Sequence, residues 1–184
     1  MNKKIILLVL SLAIQTLVLA QSRLLDRAGN VRFFSEAPLE NIEATTQQAL
    51  GVLDIESNKV AVSILMKSFH FEKALMEEHF NENYVESDKY PKATFTGIIT
   101  NPVDYSENGI SEINVKGELT IHGETKPVSA LTTFNVKDKM IEVKTKFIVK
   151  VAEYKIKIPS VVIDNIAEEV EVTASFKFKK EETP

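Results

Sequence analysis

The sequence predicts a mainly all-β, antiparallel domain carrying one short helix, and three observations predict it. Stretch after stretch alternates apolar and polar side chains, the two-residue period of a strand that buries one face. Turn signals join these stretches over distances too short for a parallel crossover, which needs a dozen or more residues. A single segment departs from the alternation and places its apolar residues four apart.

Taken in order, the chain opens with Asn2-Lys3-Lys4 and an apolar run from Ile5 to Ala20. This run contains Ser11, Gln15 and Thr16 and is shorter than the roughly 20 apolar residues of a membrane span, so residues 1–20 read as a signal peptide. Val18-Leu19-Ala20 places the cut after Ala20, leaving one mature domain over residues 21–184 and a periplasmic or secreted setting. An uncleaved anchor is the competing reading, disfavoured by the short run. The absence of cysteine excludes both an acylated lipoprotein cysteine and disulfides, so the exported domain is held by its core alone.

Short apolar stretches at Val31 to Phe34, Ile42 to Thr46 and Ala93 to Thr100 read as strands, and longer ones show the alternation clearly. Val60, Val62, Ile64 and Met66 share a face from Lys59 to Phe69, although Leu65 and Phe69 blur the other. Ile113, Val115, Leu119 and Ile121 alternate with polar residues, with Gly117 in the apolar phase, where a glycine signals a bend or close approach. Val128, Ala130, Phe134 and Val136 form the next apolar face, then Ile141, Val143, Phe147, Val149 and Val151, and finally Val170, Val172, Ala174, Phe176 and Phe178. Turn signals lie at Glu56-Ser57-Asn58, Glu107-Asn108-Gly109, His122-Gly123 and Lys137-Asp138-Lys139. The count is about eight strands, which leaves a closed barrel and a sandwich both open.

The exception is Lys73 to Val85, where Met76, Phe80 and Tyr84 line one face opposite Glu77, Glu78 and Glu82, an amphipathic helix ended by Asp88 through Pro91. A weaker helical turn is expected at Pro159 to Ala167, and the tail after Phe178 reads as loose.

Chemistry is sparse. A net charge of −4 gives no electrostatic reason to bind nucleic acid or an anionic surface. His79 and Glu82, three apart on the helix, are two candidate metal ligands where zinc takes three or four, so no metal is expected. No cysteine and no nucleophile-elbow pattern are present, and His122 beside Gly123 reads as a turn or rim residue; no catalytic residue is assigned and no enzyme is expected. What remains is the apolar face, including Phe95, Phe134, Phe147, Phe176 and Phe178, which a closed sheet could either pack solid or leave hollow.

The segment Val115 to Val128, VKGELTIHGETKPV, resembles the signature of the YceI-like family of lipid- and polyisoprenoid-binding proteins. KSFHFEKALMEEHFNENYVESDKYPKATFTG from Lys67 to Gly97 resembles that family's strand, short helix and tyrosine-proline pattern. YKIKIPSVVIDNIAEEVEVTASFKF resembles an exported variant in which Glu153-Tyr154-Lys155 replaces the more usual arginine-aspartate-phenylalanine-glycine stretch. The resemblance covers nearly all of the mature chain. It implies an eight-stranded antiparallel lipocalin-like barrel with a tunnel for a long-chain lipid such as an isoprenoid quinone or fatty acid, and admits a homodimer. On that reading Met76, Phe80 and Tyr84 cover one opening while Phe95, Leu119, Phe134, Phe147 and Phe176 line the interior. A filled barrel serving as a protein-interaction or stress-response module is the alternative.

Overall fold

A computed structural model of the protein describes residues 23–36, 41–157 and 168–180. The segment expected to be a signal peptide, the turn expected at Pro159 to Ala167 and the end of the tail lie outside the described residues. Among the described residues nine strands form one sheet: β1 Arg23–Ser35, β2 Ile42–Asp54, β3 Lys59–Leu65, β4 His70–Phe71, β5 Lys92–Ile99, β6 Gly109–Ile121, β7 Glu124–Lys137, β8 Met140–Lys150 and β9 Glu169–Lys179. The order is β1-β9-β8-β7-β6-β5-β3-β2-β4, and β1 also pairs with β2, which closes eight strands into an antiparallel barrel and leaves β4 as an extra pair on β2. Closure decides between barrel and sandwich.

Two strands are far longer than their alternation indicated. β1 and β2 run alongside each other from Arg23↔Asp54 to Ser35↔Ile42, but their register shifts twice. β1 has an extra residue between Asp26 and Gly29, and β2 has one between Thr46 and Ala49. Each bulge reverses which side chains face inward, so a two-residue period cannot be followed through it. The first bulge is held by Asp26, whose carboxylate accepts the N–H of Ala28 (2.9 Å) and the N–H of Lys177 on β9 (2.7 Å).

The strand predicted from Lys59 to Phe69 ends at Leu65, where a 3-10 turn, Met66–Ser68, rotates the chain. Leu65 stays exposed and Phe69 turns into the core. The predicted helix begins as α1, Ala74–His79, and continues as a wider π turn, Phe80–Tyr84.

One end of the barrel, here called the floor, is packed solid. Leu24, Leu53, Ile99, Ile113, Val136, Ile141 and Phe178 are buried there, and Val103 and Tyr105 from the β5–β6 connection close it from below. Burial pushes the Tyr105 hydroxyl up to about 12, and that hydroxyl has no hydrogen-bond partner. The other end, the mouth, carries α1, the π turn, the β6–β7 hairpin and a second 3-10 turn, Val151–Tyr154. On this side the β7–β8 ladder stops at Thr132↔Thr145, although both strands continue towards the mouth.

Candidate functional site

Above the floor the barrel is hollow. A mouth chamber of about 560 Å³ lies beneath the helix, and an inner chamber of about 120 Å³ lies deeper between the strands. Val31, Ile64, Ala93, Leu119, Phe147 and Val172 border both and form the neck between them. Among the described residues, neither lining includes a carboxylate, lysine or arginine. The polar side chains of the mouth chamber are Ser35, His79 and Tyr84, and burial raises the Tyr84 hydroxyl above its ordinary value. The inner chamber has Thr94, Thr132 and Thr145. Such a space favours apolar guests, because an unpaired charge taken from water into it would be strongly destabilised.

The sequence-predicted residues divide between these spaces. Met76, Phe80 and Tyr84 line the mouth chamber, Phe95, Phe134 and Phe176 line the inner one, and Leu119 and Phe147 belong to the neck. The four-residue spacing survives the change from α1 to the π turn, so Met76, Phe80 and Tyr84 still face one space. Phe134, fully buried, and Phe176 also pack towards the floor.

Phe95 owes its position to two glycines. Gly97 and Gly117 are opposite each other on β5 and β6, and a Cβ on either would lie 2.7 Å from the Phe95 ring. The ring therefore lies over bare backbone, which is the close approach that Gly117 signalled. Gly29 and Gly51 make the corresponding seat for Phe176.

The sequence reading missed the aromatic cluster beside the mouth. Phe33 packs on Phe69, Phe71 and Phe80 with ring centroids 5.2, 5.6 and 5.3 Å apart. Phe33 lies within a predicted strand, so its inward phase could have been read. Phe71 is brought in by β4, too short to carry a period.

It also missed what His122 does. His122 is at the β6–β7 turn, as expected, with φ +51°. Its Nε2 lies 2.7 Å from the Glu86 carboxylate and its Nδ1 3.1 Å from the Tyr154 carbonyl, so the ring bridges two acceptors. Tyr90 packs edge-on against the ring at 4.5 Å. The hydrogen bond from His122 holds the Glu86 carboxyl below its ordinary range. Lys155 binds Glu124 at 2.7 Å across the same junction. Glu86, His122 and Lys155 all have left-handed backbone, with φ between 45° and 54°. These residues tie the segment after the helix, the β6–β7 hairpin and the Val151–Tyr154 turn together at the mouth.

Among the described residues no group of three or more potential metal ligands converges. His70 lies 3.7 Å from Glu77, on the outer side of the helix region. No helix among the described residues is long and apolar enough to cross a membrane.

Comparison with known proteins agrees with this architecture. The sequence profile of the YceI-like domain matches residues 24–178. A UPF0312 protein of Vibrio cholerae is 33% identical over 76 residues, 41% of this chain and 38% of the relative. A UPF0312 protein of Pseudomonas putida is 31% identical over 85 residues, 46% and 42% of the two chains. The chain thus spans about two fifths of the length of the curated relatives it matches. Among solved structures, a polyisoprenoid-binding domain from Saccharophagus degradans superposes with a TM-score of 0.73 at 16% identity, covering 88% of this chain and 99% of that one. Burkholderia cenocepacia BcnA superposes with a TM-score of 0.68 at 18% identity, covering 81% and 95%.

Proposed function

The chain belongs to the YceI-like family, and on that premise we propose that it binds a long-chain lipid inside the barrel as an exported, non-catalytic carrier or reservoir. The observation that carries this reading is the two-chamber interior beneath the helix, lined mainly by apolar side chains and, among the described residues, by no carboxylate, lysine or arginine. A methylene moved from water into such a space gains roughly 0.8 kcal/mol, so affinity grows with tail length and needs no charged contact. Met76, Phe80 and Tyr84 would meet the outer part of the tail, Leu119 and Phe147 its passage through the neck, and Phe95, Phe134 and Phe176 its end.

A polyisoprenoid is the class of tail we favour, supported by the likeness to the polyisoprenoid-binding domain from Saccharophagus degradans. A charged headgroup would remain at the rim, since the lining offers it no partner. An uncharged head could enter and meet Ser35, His79 or Tyr84. The chamber of about 560 Å³ counts against the filled-barrel alternative.

The test is solvent extraction of the natively purified protein, with mass spectrometry of the extract, followed by titration of the delipidated protein with long-chain alcohols and acids. A stoichiometric long-chain lipid is expected. Its repeated absence, together with no binding of any probe, would overturn the reading.

A further inference from the structure

We propose that the barrel opens sideways between β7 and β8, with the Val151–Tyr154 turn as a movable leaf and the Tyr154 ring as its stopper. For the nature of what passes through, this rests on the lipid-binding reading; the opening itself rests on the following geometry.

The β7–β8 ladder ends at Thr132↔Thr145, yet β7 runs on to Glu124 and β8 to Lys150. At the fork, side chains take over from ladder partners. The Thr132 hydroxyl donates to the Ala130 carbonyl (3.2 Å) and the Thr145 hydroxyl to the Leu131 carbonyl (3.3 Å). Beyond the fork, the gap is filled by side chains. Tyr154, 2% exposed, packs in a small cluster with Leu119 and Val149, against which Val128, Phe147 and Ile156 also pack. Val128 and Phe147 line the inner chamber as well, so the Tyr154 cluster forms part of its side wall.

Among the described residues, the leaf is held by few bonds. Tyr154 is tied to the β6–β7 hairpin through its carbonyl and His122, Lys155 through Glu124, and the Val151 N–H donates to the Glu168 carbonyl (3.0 Å). Releasing them breaks no β7–β8 ladder bond, whereas parting any fully zipped pair of strands would. Two large apolar side chains stand exposed on the outer lips, Leu131 on β7 (54%) and Ile148 on β8 (49%). An apolar tail leaving the gap would slide over them. The upper route is bordered by the packed rings of Phe33, Phe69, Phe71 and Phe80.

Because the chain has no cysteine, one thiol placed in the inner chamber reports access without any lipid. Ala130→Cys in the full chain is labelled with N-phenylmaleimide, alone and combined with Tyr154→Ala, Tyr154→Phe or Phe80→Ala. Tyr154→Ala is expected to speed labelling about tenfold, and Tyr154→Phe, which keeps the stopper, to leave it within about twofold. Equal rates with and without Tyr154→Ala would overturn the gate, as would an acceleration by Phe80→Ala as large as that by Tyr154→Ala. If circular dichroism shows that Tyr154→Ala has unfolded the barrel, His122→Asn decides instead. Asparagine tolerates left-handed backbone and this substitution removes the ring that clasps Glu86 and the Tyr154 carbonyl while leaving the Tyr154 side chain in place. It should speed labelling about threefold, and an unchanged rate would overturn the gate. Labelling is carried out on delipidated protein, so no bound tail shields the thiol, and an extract without lipid would refute the carrier reading and leave this result standing.

Discussion

Placing a ring in the neck should shorten the lipid that the barrel can use. Ala93 on β5 faces inward, is 7% exposed and borders both chambers, so Ala93→Phe puts its ring across the passage to the inner chamber. That chamber measures about 120 Å³. Taking a methylene as similar in size to a water's share of the liquid, about 30 Å³, it accepts about four methylenes. At about 0.8 kcal/mol each, excluding them costs about 3 kcal/mol, somewhat more than a hundredfold in Kd. Calorimetric titration of the delipidated protein with straight-chain alcohols of increasing length should show affinity rising with length in the parent. In the variant the rise should stop about four carbons earlier, with short alcohols bound equally well. If a folded variant follows the parental length dependence throughout, the tail does not reach the inner chamber and the two-chamber account is wrong.

Gly117→Ala should destabilise the barrel by about 1–3 kcal/mol in urea unfolding. The new Cβ would lie 2.6 Å from the Gly97 Cα and still closer to the Thr96 carbonyl, backbone atoms that no rotamer change can move. Gly109→Ala, with nothing within 4 Å of its new Cβ, should be near neutral by comparison. Glu86→Gln should lower the melting temperature at neutral pH and not in acid. The Glu86 carboxyl is held below its ordinary 4.5, so its stabilisation is complete above pH 4.5 and is lost as pH falls through the lowered folded value. Melting curves of parent and variant should therefore differ at pH 7 and converge as pH falls through that lowered value; a gap that persists undiminished in acid would remove the Glu86 charge as the cause.

Most of the wall was legible because alternation survives wherever a strand has no bulge. β6, β8 and β9 read directly, and the inward phase of Phe95, Phe134, Phe147 and Phe176 followed from it. The first halves of β1 and the second half of β2 did not, because the shifts at Asp26/Gly29 and Gly29/Val31 reverse the phase within each strand. Whether the interior was hollow could not be read either. Inward apolar residues look the same in sequence whether their rings meet, as Phe176 and Phe178 do near the floor, or leave a space, as at the neck. The ties at the mouth join residues far apart in sequence, His122 to Glu86 and to Tyr154, whose spacing has no period to betray it. The one local hint was the His122-Gly123 turn, which demanded left-handed backbone and so marked the place without naming the partners.

The paired bulges in β1 and β2 have a consequence for how this sequence can vary. Each is confined to its own strand: Leu24, Gly29 and Val31 are buried on either side of the extra residue in β1, and Thr46 and Ala49 on either side of the one in β2. Deleting Ala28 would turn three residues against two into two against two, leaving Leu24 opposite Leu53 and still inward while removing the turn that Asp26 holds. Homologous chains can therefore lose length at either place without a matching change in the other strand, and a one-residue gap there shifts the parity of the apolar pattern in the sequence without moving a core residue.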